Sequence, residues 1–406
     1  MSYDMLTPGL YSPAKLRPNR KKRIWIPAFL LISALIQFIT LFGLEVFFNQ
    51  ISGINIVPET TTEVLERRIV LQPPLSLPGL MSVSPDHLRL AAADTNEIKI
   101  YNLKDGALIS EYPISGKSVG SMQWLPDRNR LIFALIDTKL TTKVIKSPQP
   151  KRKSNVFDEA YSTDSYREPD QSLITSQRFE IALYGWEGTM GASPELIQTL
   201  RQEGLPPQKV DLSVSTYTNL LFVQWNQAKK DNLVQVDIMN RIKDIPLPRG
   251  ALTKVVVSPR SGSLWVEITE DNFPSIYLYQ KGRWKLQTYL DGYNLLGATP
   301  DDSLAVATDQ NGFAKEVDLV DEKGNFKPGW SFTDPIHLQM VKILKDGRLL
   351  LIDNGRVIVH SAKLGEGTLF NTEIADSYSP DGKMVVSWIE STNELQILEE
   401  VQGKKE

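Results

Sequence analysis

The 406-residue sequence contains no cysteine and three histidines, His87, His337 and His360. The first absence excludes disulfides, thiol nucleophiles, iron–sulfur clusters and cysteine-ligated zinc. The second leaves too few imidazoles for a histidine-rich metal site. Charge of one sign is also scarce: 45 basic side chains nearly balance 48 acidic ones, a net of −3. The balance is uneven along the chain. Residues 1–23 hold six basic groups and one acid, Asp4, so the remainder is more acidic than the net value implies. A mildly acidic body argues against nucleic acid as a partner, because phosphate binding needs a basic face.

Long hydrophobic runs are absent except for one. Residues 24–48 read IWIPAFLLISALIQFITLFGLEVFF, and Ile24–Phe42 is broken only by Ser33, Gln37 and Thr40 among mildly polar residues. About 20 apolar residues span a bilayer core, which predicts one transmembrane helix over 24–48. A cleaved signal peptide would have a shorter apolar region followed by a small-residue cleavage site. The run instead exits through Leu44-Glu45-Val46-Phe47-Phe48, which favours an uncleaved anchor. Arg20, Lys21, Lys22 and Arg23 abut its start, and the next basic residue is Arg67. The positive-inside bias then sets the topology. Residues 1–23 become a basic cytoplasmic tail, and the bulk of the chain lies outside the plasma membrane. Gly, Pro and Thr in residues 49–66 suggest an extended stalk.

From residue 67 onward the chain is rich in β-branched and aromatic residues and shows no helical period. A turn of the type Ser-Pro-Asp recurs: Ser84-Pro85-Asp86, Leu125-Pro126-Asp127, Ser258-Pro259-Arg260, Thr299-Pro300-Asp301, Leu344-Lys345-Asp346 and Ser379-Pro380-Asp381-Gly382. A degenerate member falls at Ser213. The gaps are 41, 88, 45, 41, 45 and 35 residues. Pro presets φ for the second position of a type I turn and Asp suits the next, so each Asp reads first as a turn former. A period near 40 with four short strands per unit is the mark of a β-propeller blade. The last unit has three strands of its own. Residues 67–75, RRIVLQPPL, are expected to supply the fourth and close the ring, which makes seven blades, with six and eight as alternatives.

These turns resemble the WD-like repeats of TolB-type and related bacterial propellers over roughly residues 67–401, ahead of a short tail at 402–406. The resemblance implies the fold and says little of activity. No peptidase domain is expected beside it, on the reading that no Gly-x-Ser-x-Gly elbow occurs. The sequence offers no catalytic set, no metal set and no cofactor motif. Trp124, Trp225, Trp265 and Trp388 lie within strands, and blade packing is their ordinary role; sugar stacking is the alternative.

The gap of 88 implies an insertion in the second unit, at about 139–176. Its first part, to Lys153, holds six basic groups and no acid; its second part holds Asp158, Glu159, Asp164, Glu168 and Asp170 with one Arg. Loops this long are either solvated or functional. As a partner-binding loop it would use Lys151, Arg152 and Lys153 for charge and Tyr161 and Tyr166 as anchors. The expected function is an interaction scaffold or assembly factor in a bacterial cell envelope, tethered by one helix and binding another envelope protein. It is not expected to be an enzyme. A ligand-binding sensor and a glycan hydrolase with carboxylates at the channel mouth are the alternatives. Oligomeric state stays open.

Overall fold

The second strand of each repeat is almost wholly apolar. In Leu131–Ile136 every side chain is buried, and Arg89–Ala93 and Met384–Ile389 share this over most of their length. Such runs suit a sheet covered on both faces rather than one. The computed structural model describes residues 60–75, 79–146, 171–227, 230–308, 311–353, 356–361, 366–372 and 374–401, and shows how the covering is done.

Among the described residues the strands form seven sheets, antiparallel but for one short parallel edge pair, arranged as the blades of a propeller. Blade 1 is Leu80–Val83, Arg89–Ala93, Glu97–Asn102 and Leu108–Pro113. Blade 2 is Ser118–Trp124, Leu131–Lys146, Gln171–Trp186 and Glu195–Glu203. Blade 3 is Val210–Ser215, Leu220–Gln227, Lys230–Val236 and Ile242–Asp244. Blade 4 is Ala251–Val257, Leu264–Glu270, Phe273–Gln280 and Arg283–Leu286. Blade 5 is Tyr293–Ala298, Leu304–Thr308, Phe313–Val320 and Phe326–His337. Blade 6 is Val341–Ile343, Leu349–Asp353, Arg356–His360 and Glu366–Asn371. Blade 7 takes Ser377–Tyr378, Met384–Ile389 and Glu394–Glu400, and its outermost strand is Val64–Val70. First strands of successive blades touch one another from blade 1 to blade 6, and blade 7 returns to blade 1. They therefore line a central axis.

There is no single core. Among the described residues seven apolar clusters occur, one in each gap between neighbouring blades. Trp124, Phe133 and Trp186 of blade 2 pack with Ile98 and Ile100 of blade 1. Met384, Val386 and Ile397 of blade 7 pack with Leu90 and Tyr101 of blade 1 across the closing seam. Trp225 and Trp265 anchor two further gaps. Every blade is thus stabilised by both neighbours, and the ring must close for the first and last to be covered.

The closing strand differs from its expected bounds. It runs from Val64 to Val70, paired from Val64↔Glu400 to Val70↔Glu394, and not over 67–75. Leu71 and Leu75 come after it as buried side chains of the blade 7–blade 1 seam outside that strand. Before it, Thr60–Thr61 pairs in parallel with the outer strand of blade 6. The range 49–66 therefore ends as sheet, not stalk. The β-branched residues Val64, Ile69 and Val70 favour strand, and the less exposed positions are Val64, Arg67 and Ile69.

The insertion differs as well. Its two ends are strand: Leu131–Lys146 and Gln171–Trp186 pair continuously out to Lys146↔Gln171. The first and fourth strands of blade 2 stop near Ile136 and Arg178. The hairpin overruns its blade by seven residues on each arm, about 23 Å of two-stranded ribbon. The arms LTTKVIK and QSLITSQ carry the β-branched residues that favour strand. Because it joins second and third strands, the ribbon leaves the face opposite the Ser-Pro-Asp turns. The chain enters the propeller at Val64, on the turn face.

Residues 147–170, which include Lys151, Arg152, Lys153, Tyr161 and Tyr166, lie outside the described residues, as do residues 1–59 with Arg20, Lys21, Lys22, Arg23 and the run 24–48. Among the described residues no helix is long and apolar enough to cross a membrane.

Candidate functional site

The repeated turns converge around the axis on one face, and their local chemistry is shared. In blade 1 the Ser84 hydroxyl donates to Asp86 Oδ1 at 2.5 Å and accepts from the Arg89 amide at 2.9 Å. In blade 7 Ser379 donates to Asp381 at 2.6 Å and accepts from the Met384 amide at 3.0 Å. Thr299 donates to Asp301 in the same way. The Ser84 and Ser379 hydroxyls are buried, so each satisfies a strand amide that water cannot reach, while the Thr299 hydroxyl donates also to the Ser303 carbonyl. The fourth turn residue has a left-handed backbone: His87 at φ 61°, Asp302 at 67°, Gly347 at 86° and Gly382 at 67°. Only Gly382 and Gly347 adopt this without strain from a Cβ.

Blade 3 lacks the motif, and its turn lies at Thr216–Asn219; Ser213, the expected degenerate member, sits within the preceding strand.

The turn aspartates have a second role that their local sequence does not announce. Asn129 of blade 2 donates to Asp86 of blade 1 at 2.6 Å. Arg128 reaches Asn219 of blade 3 at 2.8 Å. Ser215 donates to the Pro259 carbonyl of blade 4 at 3.0 Å. The Arg260 and Ser261 amides donate to the two carboxylate oxygens of Asp302, each at 2.9 Å, joining blades 4 and 5. The Lys345 amide donates to the Pro380 carbonyl at 3.1 Å, joining blades 6 and 7. Finally His87 of blade 1 meets Asp381 of blade 7 at 2.9 Å. Among the described residues these hydrogen bonds latch neighbouring turns together at every junction but that of blades 5 and 6.

The last latch is charged. His87 Nδ1 lies 3.8 Å from Glu399, and Arg348 bridges Asp346 at 2.6 Å and Glu400 at 3.0 Å. The hydrogen bond to Asp381 raises the imidazole above its ordinary value, against the opposing effect of burial. Burial pushes Asp381 up, yet hydrogen bonds from His87 and Ser379 hold its carboxyl well below the usual range. His87 is raised, so its contribution to stability is whole below pH 6.5 and is lost as pH climbs through the folded value. Asp381 is depressed, so its contribution is whole above the ordinary carboxylate range and fades below it. We expect a falling stability above pH 6.5 in denaturant titrations of the native chain. His87→Gln should flatten that limb, and an unchanged slope would remove the pair as its cause.

Within the ring of turns lies a cavity of about 840 Å³. Met81, Met122, Val214, Ile343 and Tyr378 give it apolar wall, and Pro126, Pro259, Pro300 and Pro380 surround its mouth. Lys342, Lys345, Asp127 and Asp376 are its charged lining. Asp127 is gripped by Arg128 at 2.8 Å. Asp376 accepts from the Trp388 amide at 2.5 Å, and burial raises its carboxyl. Lys345 donates from blade 6 to the Pro126 carbonyl of blade 2, across the mouth. Among the described residues no group of three or more histidines and carboxylates is placed to hold a metal ion.

Several sequence candidates fall elsewhere. Trp124, Trp225 and Trp265 are buried between blades, closed to sugar stacking, and Trp388 is half-buried against the same packing. Gly116-Lys117-Ser118-Val119-Gly120 spells Gly-x-Ser-x-Gly, contrary to the expectation that no such elbow sequence occurs. Ser118 opens the first strand of blade 2 after a turn, and no helix comes after it, so the elbow geometry is absent there. The inter-blade latches and the channel lysines were not foreseen.

No protein-family model and no curated protein matches the sequence. Solved structures do. The β-propeller domain of Cps50 (Swd1) from Myceliophteria thermophila aligns at a TM-score of 0.50 and 11% identity, over 83% of this chain and 100% of that one. Hydrazine synthase of Kuenenia stuttgartiensis aligns at 0.47 and 13% identity, over 80% and 97%. Virginiamycin B lyase of Staphylococcus aureus aligns at 0.48 and 12%, over 84% and 100%. At such identities the likeness is one of fold, and the fold this chain shares with the Cps50 domain is the β-propeller.

Proposed function

We propose that the chain is an interaction scaffold of a bacterial cell envelope, tethered to the cytoplasmic membrane by residues 24–48 with its N-terminus inside and its propeller outside. It engages another envelope protein through the ribbon of blade 2. The observation that carries this is the overrun of that hairpin. Among the described residues both ribbon edges are unpaired beyond Ile136 and Arg178, so they offer backbone N–H and C=O groups to an added strand. Its first arm, with Lys143 and Lys146 and no acid, suits an acidic partner strand. The tether rests on the length of the apolar run and on Arg20–Arg23 beside it. The hydrolase alternative needs two facing carboxylates; of the two that line the channel, Asp127 is already engaged by Arg128.

Lys139 and Arg178 are cross-strand partners, so residues 140–177 can be replaced by an Asn-Gly turn. The shortened protein should melt within about 2 °C of the native one, since loop length has a weak effect on stability. A photo-crosslinker at Thr141 of the native chain should give one discrete adduct in cells, while one at Gly282, in a turn on the opposite face, should not. Adducts from both positions or from neither would overturn the ribbon as the binding element. Loss of the protein from membranes on carbonate washing would overturn the tether.

A further inference from the structure

The two arms of the blade 2 ribbon differ in charge. The first, residues 140–146, carries Lys143 and Lys146, with Lys139 at its base. The second, residues 171–177, reads QSLITSQ and carries no charge. Sheet edges are commonly guarded by charge, lysine above all. The first arm has that guard and the second lacks it. The backbone sets what the second arm offers. The Gly204 amide donates to the Gln177 carbonyl at 2.9 Å, so Gln177 turns its backbone groups away from the first arm. Backbone direction alternates along a strand, so Thr175 and Leu173 turn theirs the same way. Ile174 turns its own toward Lys143, its partner in register. Among the described residues no strand lies along the outer side of residues 171–176, because the outermost strand of blade 2 ends its pairing at Arg178.

The order of residues in this arm is self-complementary. Laid antiparallel against a second copy about Ile174, it sets Ser172 against Ser176, Leu173 against Thr175 and Ile174 against itself. Leu173 and Thr175 then exchange backbone hydrogen bonds with their counterparts, and no like charges meet. The same operation on the first arm, about Lys143, sets that lysine against its own copy, which is unfavourable. The pairing stops at Ser176, because Gly204 already holds the place beside Gln177. We propose that residues 172–176 pair with the same residues of a second copy, an isologous contact that joins two propellers through one four-stranded ribbon. The first arm stays on the outer edge, open to an acidic partner strand. The pairing goes beyond the scaffold reading and does not rest on it.

The chain has no cysteine, so a single introduced thiol reports on a single position. Ile174 meets its copy as a non-hydrogen-bonded pair, with Cα atoms about 4.5 Å apart and within disulfide reach. Lys143, at the same level of the first arm, lies three strand spacings from its copy in this arrangement, roughly 14 Å. Purified full-length protein in neutral detergent, mildly oxidised, provides the test. Ile174→Cys should form a disulfide-linked dimer at least tenfold faster than Lys143→Cys. Adding Thr175→Pro, which removes an outward amide and spares the bonds to the first arm, should slow the reaction to the Lys143→Cys rate. If the proline variant fails to fold, the two cysteine variants alone decide. Equal rates at the two positions, no dimer from Ile174→Cys, or a rate unchanged by Thr175→Pro in the folded protein would each overturn the pairing.

Discussion

A chain beginning at Gly79, and so lacking Val64–Val70, is expected to lose its cooperative melting transition, whereas one beginning at residue 58 should melt with the full-length protein. The deletion removes more than one strand. It exposes the whole outer edge of Glu394–Glu400, seven paired residues. It also strips Leu71 and Leu75 from the blade 7–blade 1 seam, where they are buried, and with them Ile69 and, at the next seam, Val64. Burial of such side chains contributes about 1.5–3 kcal/mol each when complete. Their joint loss is on the order of 5–10 kcal/mol, comparable to the whole stability of an ordinary domain. Circular dichroism on heating distinguishes the two chains. Equal transitions would mean that blade 7 is stable as three strands.

Trp265→Ala is the second large effect, an expected loss of about 3–5 kcal/mol in urea titration. Trp265 is fully buried in the gap between blades 4 and 5, against Ile276, Leu278, Leu295 and Leu304, and its indole N–H donates to Ser258 at 3.3 Å. Alanine leaves a cavity that two rigid sheets cannot collapse into, and it removes one partner of a buried turn hydroxyl. Trp388→Ala, at a half-buried position, should lose clearly less. Similar losses at both positions would show that the inter-blade gaps are looser than their burial suggests.

The fold was legible because its repeat is written in short-range chemistry. Ser84-Pro85-Asp86, Thr299-Pro300-Asp301 and Ser379-Pro380-Asp381-Gly382 are turns whatever surrounds them, and their spacing reveals the blades. The closing strand was legible in kind but not in place. RRIVLQPPL looks strand-like because Leu71 is apolar, yet Leu71 is buried beyond the strand's end, and the pairing starts at Val64. The ribbon arms were hidden by their neighbours: a Pro- and Lys-rich stretch comes after Lys146, and the pairing across it is visible only in register. The latches and the channel were not legible at all. Asp86 and Asn129, or His87 and Asp381, become neighbours only when the ring closes, and nothing local marks them. A lysine inside a strand that lines the axis, such as Lys342, is the one sign that was there to read.

The order in which this ring can be completed has a consequence for its synthesis. The strand that finishes blade 7 is made before blade 1, and its contact between Glu66 and Gln396 spans 330 residues. At roughly 5–20 residues per second of translation, Val64–Val70 waits about 15–65 s for its partner to emerge. Through that interval it is an unpaired edge, exposed to other nascent chains. Its central residues are Glu66, Arg67 and Arg68. Charges of both signs in mid-strand discourage pairing with an identical copy in register, while the finished seam accommodates them: Gln396 donates to Glu66 at 3.0 Å and Arg67 donates to the Leu103 carbonyl at 2.6 Å. The strand that holds the ring shut is thereby also built to wait for it.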